Sequence, residues 1–77
     1  MKVELYTRKD CGFCGMAKEA LKEKRLSYSE HVIGETVSRD DVRNAFPSVK
    51  FLPIVVIDNQ FVGGYNELVN ILEGKTL

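Results

Sequence analysis

The chain has no tryptophan, a single histidine, two prolines and two cysteines in 77 residues. Scarcity of metal-binding side chains argues against a structural zinc site: beyond the two cysteines it would need two more ligands, and His31 stands alone without a third cysteine. There is no charge excess either. Eleven basic and eleven acidic residues give a formal net charge of zero, where a general nucleic-acid or membrane-surface binder would carry a basic surplus. No apolar run approaches the ~20 residues of a membrane span. The chain starts directly in a strand pattern, without the long apolar segment of a secretory signal, so a reducing, cytoplasmic setting is expected. Linkers, repeats and low-complexity stretches are all missing, which leads to the expectation of one domain over residues 1–77. A chain of this length buries only about 60% of its unfolded surface. Four phenylalanines, three tyrosines and a hydrophobic fraction of 44% still suffice for a compact core.

What is present centres on Cys11-Gly12-Phe13-Cys14. A strand-like run, Val3-Glu4-Leu5-Tyr6, leads in, and a helix-like run from Phe13 to Lys24 leads out. Unpaired amides and the helix dipole favour a thiolate at such a junction, which makes Cys11 the expected attacking sulfur. Cys14 falls about one turn deeper, positioned to attack a mixed disulfide on Cys11. Arg8, Lys9 and Lys18 add positive charge, opposed nearby only by Asp10. A purely structural disulfide across so short a loop removes little chain entropy. Two buried bystander cysteines would leave both the spacing and the basic setting unexplained. A redox dithiol is the preferred reading.

The remaining pattern supplies a scaffold. Ala17, Ala20, Leu21 and Lys24 recur at helical spacing, with Lys18, Glu19, Lys22, Glu23 and Arg25 as a solvated face. Leu26 to Ile33 reads as a second strand ending at Gly34, and its His31 is assigned a structural or surface role. Ser38 is the expected N-cap of a short helix whose Val42, Ala45 and Phe46 form one apolar side, with Val37 stapling Val42 and Pro47 as terminator. Ile54 to Ile57 is a buried β-branched run. Asp58-Asn59 turns it back through Gln60-Phe61-Val62 to a break at Gly63-Gly64. Asn66 is the expected cap of a last helix with Leu68, Val69, Ile71 and Leu72 inward and Gly74 as its end. The order is β-α-β-α-β-β-α, with strands 1 and 2 parallel and strands 3 and 4 an antiparallel edge pair.

Three separated landmarks then carry a family likeness: Tyr6-Thr7-Arg8 with Cys11-x-x-Cys14, Leu52-Pro53 before a β run, and Gly63-Gly64-Tyr65 before the last helix. Over essentially its full length the chain resembles the glutaredoxins. The resemblance implies an α/β, thioredoxin-like fold with a four-stranded mixed sheet and three helices, and a cis proline at Pro53 opposite the cysteines. It implies a glutathione site drawn from Arg8, Lys9, Phe13, Lys50, Leu52, Pro53, Gly64, Tyr65, Asn66 and Glu67, with Cys11 and Cys14 catalytic and no metal. Glutathione would be co-substrate rather than a tightly bound cofactor. The partners implied are disulfide-containing or glutathionylated proteins, a ribonucleotide reductase among the candidates, served by a monomer. Two rival functions follow from the same likeness: an electron donor to ribonucleotide reductase reduced by thioredoxin reductase, and a carrier of a glutathione-ligated [2Fe–2S] cluster. Gly12-Phe13 stands where many dithiol members have Pro-Tyr, Phe51-Leu52 where Thr-Val is usual, and Asn66-Glu67 where Thr/Ser-Asp is common. The lack of tryptophan before Cys11 argues against thioredoxin proper.

Overall fold

The computed structural model describes residues 1–74. Strand β1 (Val3–Thr7) is followed by helix α1 (Gly12–Glu23), strand β2 (Tyr28–Val32), helix α2 (Arg39–Ala45), strands β3 (Ile54–Ile57) and β4 (Gln60–Gly63), and helix α3 (Tyr65–Leu72). The strands form one mixed sheet in the order β2-β1-β3-β4. β1 runs parallel to β2 and antiparallel to β3, and β4 pairs antiparallel with β3 at the far edge. The four-stranded mixed sheet with three helices is the architecture expected from the residues and the family likeness.

Alternation along β1 divides the core. Val3 and Leu5 point to one face, where they meet Ala17 and Leu21 of α1, Val55 of β3 and Leu68 of α3. Leu5, Leu21 and Leu68 are fully buried. Burial of each such side chain contributes about 1.5–3 kcal/mol. Tyr6 points to the other face and joins Val42 of α2, Ile54, Val56 and Phe46. The Tyr6 ring stacks on His31 at 4.6 Å and meets the edge of Phe46 at 5.2 Å. His31 Nε2 lies 3.1 Å from Glu4 Oε1, so the lone histidine has a structural place on the sheet.

Local chemistry explains the joints. Asp58 and Asn59 have φ of 52° and 67°, the left-handed pair of a two-residue hairpin whose twist matches its strands. Ser38 Oγ accepts the Asp41 N–H at 3.0 Å and caps α2. Other expectations are corrected. Gly63 is the last residue of β4 rather than a break, and α3 is capped at Gly64, with Asn66 inside its first turn. Glu67 Oε1 accepts the Gly64 N–H at 2.8 Å, the reciprocal half of a capping box, and no side chain among the described residues caps the first-turn amides as Asn66 was expected to. Ala45 and Ile71 are exposed, not inward. Each of these helices makes only about two turns, too short for its apolar residues to wrap into a wide buried stripe.

Candidate active site

β1 delivers the chain to the site, and the Arg8-Lys9-Asp10 turn aims it into α1. Asp10 sits at φ 63°, in the left-handed region that aspartate tolerates better than most side chains. Cys11 is then the N-cap of α1, in extended geometry, and its Sγ accepts the backbone N–H of Cys14 at 3.2 Å. No acidic residue occupies the first turn of α1. The free amides and helix dipole therefore act on the Cys11 sulfur unopposed from within the helix, which favours its thiolate. Cys14, one turn on, is only 2% exposed, whereas Cys11 is partly open to solvent. The two are joined as a disulfide with Cα atoms 5.2 Å apart.

Lys18 does not lend its charge freely to the cysteines, as the sequence had suggested. Its Nζ lies 3.1 Å from Glu30 Oε2, and the same oxygen accepts the hydroxyl of buried Thr7 at 2.6 Å. The Thr7 hydrogen bond is the main reason that the Glu30 carboxyl is held below its usual range; desolvation opposes this, and the bond and charge of Lys18 reinforce it. The inward position of Thr7 follows from strand alternation, but nothing in the sequence pairs Glu30 with Lys18.

An open cleft of about 890 Å³ adjoins Cys11. Of the residues expected at a glutathione site, it gathers Arg8, Lys9, Lys50 and Leu52. Most of its remaining wall comes from α2 and the segment after it, Arg39, Val42, Arg43, Phe46, Val49 and Phe51, with Ile33, Gly34 and Ile54 from the sheet side. Arg39 and Arg43 are the functional candidates that sequence reasoning missed. Their four-residue spacing on a helix was the available signal.

The other expected residues do not line this cleft. Phe13, 58% exposed, has its ring centroid 5.9 Å from that of Tyr65. The Leu52–Pro53 peptide bond is cis, as the family likeness implied, and Pro53 is buried. Gly64 brings the start of α3 against this segment: a Cβ there would come within 3.0 Å of the Phe51 ring and 3.5 Å of the Pro53 carbonyl. Gly63, at φ 138°, has no room for a side chain because a Cβ would meet Glu67 Cγ at 2.5 Å. Asn66 and Glu67 are exposed at that helix start. Phe51 lines the cleft and touches the Gly64 backbone position, so it joins the two halves.

Residues 3–62 match the family model for glutaredoxin. The chain belongs to the glutaredoxin family. It is 35% identical over 69 residues to glutaredoxin 3 of Escherichia coli (strain K12), a match covering 86% of this chain and 80% of that one. It is 32% identical over 68 residues to a probable glutaredoxin of Synechocystis sp., covering 87% and 77%. The crystal structure of glutaredoxin 1 from Francisella tularensis, complexed with cacodylate, superposes with a TM-score of 0.78 at 26% identity, over 94% of this chain and 93% of that one. A glutaredoxin with this Cys11–Cys14 pair is a thiol–disulfide oxidoreductase, and the N-cap sulfur beside a buried partner sulfur is the geometry such exchange requires.

Proposed function

We propose that this glutaredoxin uses glutathione as its electron source and reduces protein disulfides and protein–glutathione mixed disulfides. The observation that carries this reading is the cleft at Cys11, in which Arg8, Lys9 and Lys50 stand ready for the two carboxylates of glutathione. Cys11 thiolate attacks the substrate disulfide and expels one thiolate. Either Cys14, after losing its proton, or a glutathione thiolate then displaces the second sulfur. Two glutathione molecules become one glutathione disulfide as the Cys11–Cys14 pair is reduced again. Phe13, Tyr65 and Leu52 flank the bound tripeptide, and the backbone at Pro53 and Gly64 to Glu67 meets its polar ends. No tightly bound cofactor takes part, and the working form is a monomer in a reducing, cytoplasmic compartment. Among the described residues no helix is long and apolar enough to cross a membrane.

One observation favours a second reading, reduction by thioredoxin reductase with ribonucleotide reductase as recipient. The Glu67 carboxylate bonded to the Gly64 amide places negative charge at the start of α3, where the first reading seats a glutathione carboxylate. Turnover of a glutathionylated protein separates the two. Glutathione with its reductase should sustain turnover, and thioredoxin reductase should not. The reverse result would establish the second reading.

A further inference from the structure

Arg39, Val42, Arg43 and Phe46 make one stripe along and just beyond α2, and that stripe is the part of the helix which lines the cleft. Asp40 and Asp41 fall off it and stay outside. The helix therefore sorts its charges, turning cations to the cleft and acids away. Arg8, Lys9 and Lys50 complete a set of five cations there against one acid, Asp10, in a chain whose formal net charge is zero. All five are exposed, and none has a side-chain ion pair or hydrogen bond among the described residues. Two glutathione carboxylates cannot occupy five cations. At about 890 Å³ the cleft also sits near the upper end of the roughly 300–1,000 Å³ typical of small-molecule sites, with an apolar floor of Val42, Phe46 and Val49.

We propose that Arg39 and Arg43 select protein substrates carrying acidic residues beside the reacting disulfide, a specificity that rests on the oxidoreductase reading above. Cys11 shares the cleft with these arginines, so the occupant is a polypeptide that brings a sulfur with its carboxylates. The reaction is a two-electron exchange. Cys11 thiolate forms a bond to one substrate sulfur and releases the other as thiolate. The Cys14 thiol gives up its proton, attacks the Cys11 sulfur and releases the second substrate thiolate. The protein ends as the disulfide and the substrate as the dithiol, whichever donor later resets the protein.

Single-turnover oxidation tests this without invoking that donor. Protein reduced chemically and freed of reductant is mixed with a short cyclic disulfide peptide flanked by four Asp or Glu residues. Parallel reactions use the same peptide with Asn and Gln, or with Lys, at those positions. At low ionic strength the acidic peptide should react on the order of tenfold faster than the neutral one, and the basic one slowest, as expected for charge-steered encounter. The preference should collapse toward unity near 1 M salt, where the screening length falls to about 3 Å. In the Arg39→Gln/Arg43→Gln variant the acidic-to-neutral ratio should fall below about threefold, while a small uncharged disulfide reacts at the wild-type rate. Should the double variant not fold, Arg39→Gln and Arg43→Gln taken singly must each lower the ratio. Equal rates for acidic and neutral peptides with the wild-type protein at low salt overturn the proposal. So does a preference that survives both substitutions. Absence of reaction with every disulfide, the small one included, would instead overturn the oxidoreductase reading on which it rests.

Discussion

Cys11 and Cys14 are the same side chain made unequal by one turn of helix. Cys11 caps α1 in partial contact with solvent and accepts an amide N–H; Cys14 is buried against the core. Cys11→Ser should abolish all exchange. Cys14→Ser should keep reduction of glutathione mixed disulfides but lose most dithiol reduction of protein disulfides, and alkylation of the reduced protein near neutral pH should mark Cys11 first. Equal loss of both activities in Cys14→Ser, or first labelling of Cys14, would reverse these roles. A second residue-scale expectation concerns Thr7. Its hydroxyl is the largest of the influences that hold the Glu30 carboxyl low. A carboxyl depressed by folding stabilises the native state above its ordinary titration range, and that contribution is lost as pH falls through the depressed folded value. Thr7→Val should move the Glu30 titration upward, so acid loss of stability begins at higher pH. Carbon NMR of the Glu30 carboxyl through an acid titration measures the shift, and an unchanged midpoint would remove Thr7 as its cause.

At the scale of elements, α2 is the weak member and the informative one. It has seven residues, one of them buried, Val42. A helix this short is marginal without its cap and its packing. Ser38→Ala removes the bond to the Asp41 amide and should cost about 1 kcal/mol. In a small domain that lowers Tm by about 4–8 °C. Because α2 also carries Arg39 and Arg43, hydrogen exchange should show its amides opening earlier in the variant. A Tm within about 1 °C of wild type would mean that tertiary packing holds α2 without the cap. The α3 start is built differently: a Cβ at Gly64 would crowd the Phe51 ring at 3.0 Å, and the Glu67 carboxylate reaches back to accept the Gly64 N–H.

The whole molecule is neutral in sum and polar in distribution. Five cations face one cleft, so a ligand arriving at Cys11 meets a field that the net charge of zero conceals. Individually each exposed pair contributes only about 0.2–1 kcal/mol. Lys50→Glu should therefore raise the glutathione KM a few-fold or somewhat more at low salt, with Arg8→Glu behaving alike. Both penalties should shrink as salt rises, and turnover of a small uncharged disulfide should change much less. An unaltered glutathione KM in Lys50→Glu at low salt would take Lys50 out of the site. The same result for Arg8 and Lys9 would favour reduction by thioredoxin reductase.

The sequence by itself determined whatever is decided by chain neighbours. The β-branched run at Ile54 to Ile57, the Asp58-Asn59 turn, the Ser38 cap and the Cys11-x-x-Cys14 spacing each depend on a few consecutive residues, and each is found where its local chemistry puts it. The rotation of the helices and the meeting of distant side chains were decided only in the tertiary structure. Lys18 is neutralised by Glu30 because β2 lies alongside β1, which places Glu30 within reach of both Thr7 and α1. Ala45 and Ile71 turn outward because the sheet covers only a narrow strip of two short helices. Arg39 and Arg43 join Cys11 at one cleft because packing of Val42 on Ile54 and Val56 fixes which side of α2 faces the sheet. Periodicity limits which residues can share a helix face, but the partner surface selects the face that is buried.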